Sequence, residues 1–356
     1  MNKRLKVGIV SFGYSTRTFH IPFILENKCY ELYAILERNE SNSINNYPFI
    51  KLYRDYDKFL NDSNIELVVI TTPNYTHYEL IKNALMAGKN VVVDKPFVIN
   101  MEEAIELVNI AKHKNLVLTV YQNRRFDGDY ITIRSILEKN LLGSIFEFYS
   151  CFDRFKDNPV LRWREMNLAG SGLVYDIGSH LVDQTIKLFG SPTNLFAIGN
   201  KIEEKFEVED YFFIIFEYSS FKLFLSAGNK YIIQRPRFAA FGNRGSFIKY
   251  NLDPQEKALN NGIRPSKEPW ITEDNCYWGK LGTVEKGLVK NEEVKTIPGN
   301  YMNFYDNLYN HIFNNTSIEV KFSDMLLNTY LIEKIYKSIH NGTKELINED
   351  FKNYNN

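Results

Sequence analysis

Residues 6–16 read as a β-strand that runs straight into a turn of small side chains. Lys6-Val7-Gly8-Ile9-Val10 is apolar and partly β-branched, and Ser11-Phe12-Gly13-Tyr14-Ser15-Thr16 follows it. The hexapeptide keeps the spacing of G-x-G-x-x-G, with Ser11, Gly13 and Thr16 at the small positions. Each position has a physical job: a tight turn, close backbone approach to a pyrophosphate, and close helix–strand packing. Gly13 stands at the middle one, where a Cβ would collide with phosphate oxygens. With two glycines replaced, the same residues also suit an ordinary strand–turn–helix of any α/β domain.

The next hundred residues alternate strand and helix. A helix is expected near Thr16–Glu26, then a strand at Tyr30–Leu36. Leu67–Thr72 and Asn90–Val93 are continuous apolar runs, the mark of parallel strands buried on both faces. Thr76–Ala87 reads as a helix closed by Gly88, Met101–Asn115 as an amphipathic helix with Glu102 and Glu103 in its first turn, and Leu116–Tyr121 as a strand. This is a βαβαβα pattern, which builds a doubly wound parallel sheet.

After about residue 122 the pattern changes. Ser144–Phe152, Asp210–Glu217, Phe221–Ala227 and Ser246–Tyr250 are Phe- and Tyr-rich strands, several with no helix between them, which argues a mostly antiparallel sheet. Helices near Tyr130–Leu141, Ser171–Phe189, Asn303–Asn314 and Ser323–His340 accompany it, and Asp253–Lys295 reads as long loops. The expectation is therefore an α/β chain of two domains. Residues 1–122 form the doubly wound domain, and 123–356 a second α/β domain with a large open sheet, the last helix packing back on the first.

Composition narrows the function. Lys plus Arg and Asp plus Glu each number 43, so no charge excess argues for nucleic acid or a membrane surface. Cys29, Cys151 and Cys276 lie far apart and suit neither a disulfide framework nor a zinc site, and the six histidines are dispersed. No metal site and a cytoplasmic location are expected. No apolar run approaches the roughly 20 residues that span a bilayer.

Two stretches can do chemistry. Asp94-Lys95-Pro96 ends a parallel strand at the carboxyl edge of the sheet, where ligands of such sheets bind. A partly desolvated lysine there could donate to, or relay a proton from, an alcohol. In Gly170–Gln184, Asp176 and His180 are four apart and share a helix face, a carboxylate–imidazole pair suited to general-base work and equally to a satisfied buried histidine. Thr72, Pro73 and Asn74 close another strand, with His77 packing beside the turn. Glu37, about 20 residues after the small turn, is placed to bind an adenosine ribose diol, whereas Arg38 beside it could accompany a 2′-phosphate. Both NAD and NADP stay open, and the carboxylate beside a phosphate dianion favours NAD.

The small turn, Thr72-Pro73-Asn74-x-x-His77, Asp94-Lys95-Pro96 and Asp176-x-Gly178-x-His180, in that order, resemble the Gfo/Idh/MocA oxidoreductases over nearly the whole chain. Phe19-His20-x-Pro22, Tyr121-x-Asn123-Arg124-Arg125-Phe126-Asp127, Asp153-Arg154-Phe155, Arg162-Trp163-Arg164-Glu165 and Ser246-Phe247-x-Lys249-Tyr250 bring it nearest the inositol dehydrogenase-like branch. The resemblance implies a Rossmann domain and a second domain whose open sheet forms a homodimer or homotetramer interface. It implies that Lys95, Asp176 and His180 are catalytic. Ser11 to Thr16, Glu37, Arg38, Thr72, Pro73, Asn74, His77, Asp94, Lys95, Pro96 and Asn123 would then contact the cofactor, and Tyr121, Arg125, Arg154 and Trp163 the substrate. A secondary alcohol of a cyclic polyol or sugar is the expected substrate. The alternatives are another sugar or dihydrodiol, or a non-catalytic dinucleotide-binding regulator.

Overall fold

The computed structural model describes residues 3–266 and 268–347. They fall into two compact units. The first comprises the stretch up to Asn123 with Gln255–Trp270 and Asn300–Leu326; the second comprises Arg124–Pro254, Ile271–Gly299 and the stretch from Leu327 on. The units are thus assembled from separated stretches of chain, whereas the sequence suggested one continuous boundary near residue 122. Among the described residues no helix is long and apolar enough to cross a membrane.

The first unit holds a six-stranded sheet of β1 (Leu5–Val10), β2 (Tyr30–Leu36), β3 (Lys51–Tyr53), β4 (Leu67–Ile70), β5 (Asn90–Val93) and β6 (Leu118–Val120). The strand order is β3-β2-β1-β4-β5-β6, and every pairing is parallel. This is the doubly wound order in which a dinucleotide lies across the carboxyl ends of the strands. The central strands are mostly apolar because helices cover both faces; every residue of β4 is buried. Gly8 is required by that packing, since a Cβ there would lie 2.5 Å from the Phe59 ring. The helix Met101–Lys114 begins with the Asn100 side chain accepting the Glu103 N–H and ends at Asn115, whose φ is +52°.

The second unit holds a nine-stranded sheet of β7 (Ile145–Asp153), β8 (Asn194–Asn200), β9 (Tyr211–Glu217), β10 (Lys222–Gly228), β11 (Phe238–Gly242), β12 (Gly245–Lys249), β13 (Gly279–Glu285), β14 (Leu288–Val294) and β15 (Glu345–Leu346). The order is β14-β13-β12-β11-β7-β10-β9-β8-β15, antiparallel except between β7 and β10. Along β9 the burial alternates, with Phe212, Ile214 and Phe216 inward. On the opposite face Tyr149 stacks on Phe224 with ring centroids 4.7 Å apart.

Three expectations are corrected here. Asn194–Asn200 and Phe238–Gly242 are strands that the sequence reading passed over. The stretch read as long loops, Asp253–Lys295, contains the β13–β14 hairpin and the helix Gln255–Asn260. All of β14 but Val294 is exposed, so it carries no apolar alternation to reveal it, and the hairpin turns at Lys286-Gly287, both with positive φ.

Candidate active site

The small turn forms as the spacing suggested, with one substitution of means. Ser11 takes the first glycine position at φ +92°, backbone that favours glycine, and its N–H donates to the Leu36 carbonyl. A Cβ on Gly13 would meet only the Ser11 Oγ, at 3.7 Å, so packing within the chain does not account for this glycine. An open backbone at this position is what close approach of a pyrophosphate requires, and the turn fits a dinucleotide. Thr16 is fully buried, and its Oγ1 lies 3.1 Å from the Ser11 carbonyl and 2.6 Å from Thr71 Oγ1. Its hydroxyl therefore closes the turn onto β4. Thr16 opens a π turn, Thr16–His20, before the helix Ile21–Glu26.

Around that turn, Phe12 packs edge-on against Tyr47, and the Arg17 guanidinium lies over the Phe12 ring. The Tyr14 hydroxyl reaches Glu256 (3.2 Å) and Asn260 (3.0 Å) of the inserted helix. Ser15 hydrogen-bonds Asp94. Glu37 is committed locally: its carboxylate accepts the N–H groups of Asn42 (3.2 Å) and Ser43 (2.9 Å) and the Ser43 hydroxyl (2.6 Å). Arg38 is exposed beside it.

At the end of β5, the Asp94 Oδ1 lies 2.9 Å from His20 Nε2, and His20 Nδ1 lies 2.6 Å from the Tyr305 hydroxyl. Burial alone would raise the Asp94 carboxyl, but the His20 imidazole and the Ser15 hydroxyl hold it below the usual carboxylate range. Lys95 follows, half-buried, then Pro96, whose carbonyl lies 2.9 Å from His77 Nδ1; His77 Nε2 faces the Thr72 carbonyl at 3.0 Å. His77 thus ties the ends of β4 and β5 together, and burial pushes its pKa below the ordinary value. The Thr72 Oγ1 and the Pro73 carbonyl both accept the Thr76 hydroxyl, and Asn74 opens the short turn Asn74–Thr76. Asn123 is buried at the start of the turn Asn123–Phe126.

In the second unit, Gly172 has φ +100°, and the chain then makes a π turn at Val174–Gly178 before the helix Ser179–Phe189. Glu209 anchors this entry: its carbonyl accepts Leu173 N–H, its carboxylate accepts Val174 N–H (3.1 Å), and Tyr336 OH donates to it at 2.7 Å. Burial pushes the Glu209 carboxyl up. Asp176 is on the π turn, half-buried, 3.6 Å from Arg164 Nε, and His180 is buried at the start of the helix. A small pocket, open to solvent, adjoins Asp176, with Lys156, Arg164, Glu209, Asp210 and Asn229 in its wall. Burial, and after it the Arg154 cation, lowers the Lys156 ammonium.

The residues expected to contact substrate separate. Arg154 is half-exposed over the Phe152 ring, and Trp163 is half-buried beside Arg164. Tyr121 is packed between His20 and Phe304, with centroids at 4.4 and 4.7 Å. Arg125 is buried and takes both oxygens of Asp183. Both are buried among these partners. Sequence reading gave His20 no role at the site and passed over Tyr305 and Glu209; only the Phe19-His20-x-Pro22 pattern hinted at the first.

Comparison with known proteins agrees with this geometry. Residues 5–122 match the family model described as oxidoreductase family, NAD-binding Rossmann fold, and 134–346 match its C-terminal alpha/beta domain. YdgJ of Escherichia coli, named an uncharacterized oxidoreductase, is 38% identical over 86% of this chain and 88% of its own. IolW of Bacillus subtilis, named scyllo-inositol 2-dehydrogenase (NADP(+)), is 33% identical over 85% of this chain and 84% of its own. A solved oxidoreductase from Bacteroides fragilis superposes with a TM-score of 0.87 at 39% identity, over 97% of this chain and 100% of that one. The chain belongs to the Gfo/Idh/MocA family of oxidoreductases and is a dehydrogenase with an NAD-binding Rossmann fold.

Proposed function

We propose that the protein oxidises one secondary alcohol of a cyclic polyol or sugar, reversibly, with NAD or NADP. The observation that carries this reading is the turn at Gly172–Gly178, which brings Asp176 into the wall of a solvent-open pocket with charged and polar neighbours and leads into the helix where His180 lies buried four residues on. Charged and polar groups in that wall suit the hydroxyls of a polyol, and a relative named for scyllo-inositol supports the choice.

When bound, the nicotinamide supplies the hydride acceptor. The chain supplies the rest. His180 takes the hydroxyl proton, and Asp176 orients the ring and favours its charged form. Lys95 is assigned the same oxygen, donating a hydrogen bond as negative charge develops there. Ser11 to Thr16, the Thr72–Asn74 turn, Asp94, Pro96 and Asn123 would hold the cofactor, with His77 bracing the two strand ends. At the adenosine end the hydrogen-bonded Glu37 carboxylate and the exposed Arg38 support NADP alongside NAD. The half-exposed aromatic face of the second sheet supports a homo-oligomer.

A panel of cyclic polyols and sugars, each offered with NAD and with NADP and followed by the absorbance of the reduced nicotinamide, tests the reading. Turnover of a ring alcohol, reduced by about 10²–10⁴ in His180→Ala and similarly in Lys95→Ala, is the expected result. Dinucleotide binding without turnover of any alcohol would overturn it in favour of a regulator.

A further inference from the structure

We propose that Arg125 and Asp183 are positioning residues for His180, their buried ion pair setting both the place and the basicity of that imidazole. The proposal rests on the reading of His180 as the proton acceptor.

Asp183 follows His180 by three residues on the helix Ser179–Phe189, which makes the two neighbours on its surface. Its Oδ1 and Oδ2 accept from Arg125 Nη2 and Nε, each at 2.7 Å, with the side chains 3% and 1% exposed. A fork-to-carboxylate pair fixes orientation as well as distance. The next residue is held in the same way. Gln184 Oε1 accepts from Arg237 Nη2 at 2.6 Å, and Gln184 Nε2 donates to the Arg124 carbonyl at 2.7 Å. Arg237 in turn reaches Asp129 (3.2 Å) and the Ser150 hydroxyl (2.7 Å). Two successive residues one turn beyond His180 are therefore clamped by directional bonds to the Asn123–Phe126 turn and to Arg237, just before β11.

Seating the helix does not require this. Leu181, Val182 and Ile186 already bury its apolar side, and replacing a buried ion pair by apolar groups is often neutral or stabilising. What apolar packing does not supply is a fixed rotation of the helix and a balanced charge beside the imidazole. Four ion pairs lie on this helix, beside it or on its entry turn: Arg124 with Asp127, Arg125 with Asp183, Arg237 with Asp129, and Arg164 with Asp176. Arg125 cancels the Asp183 charge, so the basicity of His180 is set from the Asp176 side.

The test is the pH dependence of kcat/KM on a turned-over alcohol, with dinucleotide affinity and a thermal melt recorded for each variant. Arg125→Met leaves the Asp183 carboxylate uncompensated, favours the imidazolium and should move the acidic limb up by about one pH unit. Asp183→Asn leaves the guanidinium uncompensated and should move it down by a similar amount. The double variant should return the limb to its original place. Arg125→Lys, which keeps the charge and loses the fork, should leave the limb unmoved and lower kcat about tenfold, a loss of geometry alone. Dinucleotide affinity should hold in all four. If Arg125→Met does not fold, the Asp183→Asn and Arg125→Lys pair carries the same distinction. Single variants that melt earlier with an unmoved limb would overturn the proposal and leave a purely structural pair. Undiminished turnover in His180→Ala would instead remove the reading beneath it.

Discussion

Gly172 and Glu209 meet at the entry to the His180 helix so closely that a Cβ on Gly172 would lie 2.3 Å from the Glu209 carboxylate. The glycine is also at φ +100°, where an L side chain is strained whatever the space. Gly172→Ala should therefore cost about 2 kcal/mol or more, read as a lower denaturant midpoint, with turnover falling because Asp176 follows within the same turn. An unchanged midpoint would mean that the turn relaxes freely and does not set the site.

Glu209 itself gives a pH signature. Burial raises its carboxyl above the ordinary glutamate value of about 4.3. Between that value and the higher folded one, the folded chain binds the proton more tightly than the unfolded chain, so this group's contribution to stability falls as pH rises through the window. Glu209→Gln keeps an acceptor for Val174 N–H and has nothing to titrate. Melting temperatures taken across the acidic range should show the variant gaining on the parent with rising pH. A constant difference would show that Glu209 does not titrate there.

Cofactor choice should depend on position 38. With the Glu37 carboxylate bonded to Asn42 and Ser43, the exposed guanidinium of Arg38 is the group we propose for a 2′-phosphate. Arg38→Ala should lower the NADP-to-NAD ratio of kcat/KM about tenfold, equivalent to about 1.4 kcal/mol of differential binding. Glu37→Ser should weaken both dinucleotides, because it frees the loop rather than exchanging one specificity for the other. A ratio unmoved by Arg38→Ala would place that side chain away from the adenosine.

Lys249 and Glu273 provide a strut for the long connection after β12. Both are buried; Lys249 Nζ also donates to the Tyr250 and Tyr277 carbonyls, and Glu273 accepts the Thr296 hydroxyl. Lys249→Met strands a buried carboxylate and should cost about 3–5 kcal/mol in equilibrium unfolding. Adding Glu273→Leu should recover most of the loss. A double variant no more stable than the single would show that the hydrogen bonds, rather than the stranded charge, carry the cost.

The sequence by itself determined what depends on local pattern. Continuous apolar runs such as Leu67–Ile70 and Val91–Val93 report burial on both faces, and alternating Phe and Tyr report a half-covered sheet, so the two sheets and their parallel and antiparallel character were legible. The spacing of small residues from Ser11 to Thr16 was legible for the same reason, since each position answers to its neighbours in the chain. Tertiary structure decided which partners meet. The partner of Arg125 is an aspartate 58 residues away, and His20 shows no role until Asp94 and Tyr305 close on it from 74 and 285 residues away. The β13–β14 hairpin escaped because an exposed, polar edge strand leaves no apolar period. The inclusion of Gln255–Trp270 and Asn300–Leu326 in the first unit escaped because chain order does not encode it. Periodicity records how deeply a side chain is buried; which side chain lies opposite depends on long-range closure of the chain.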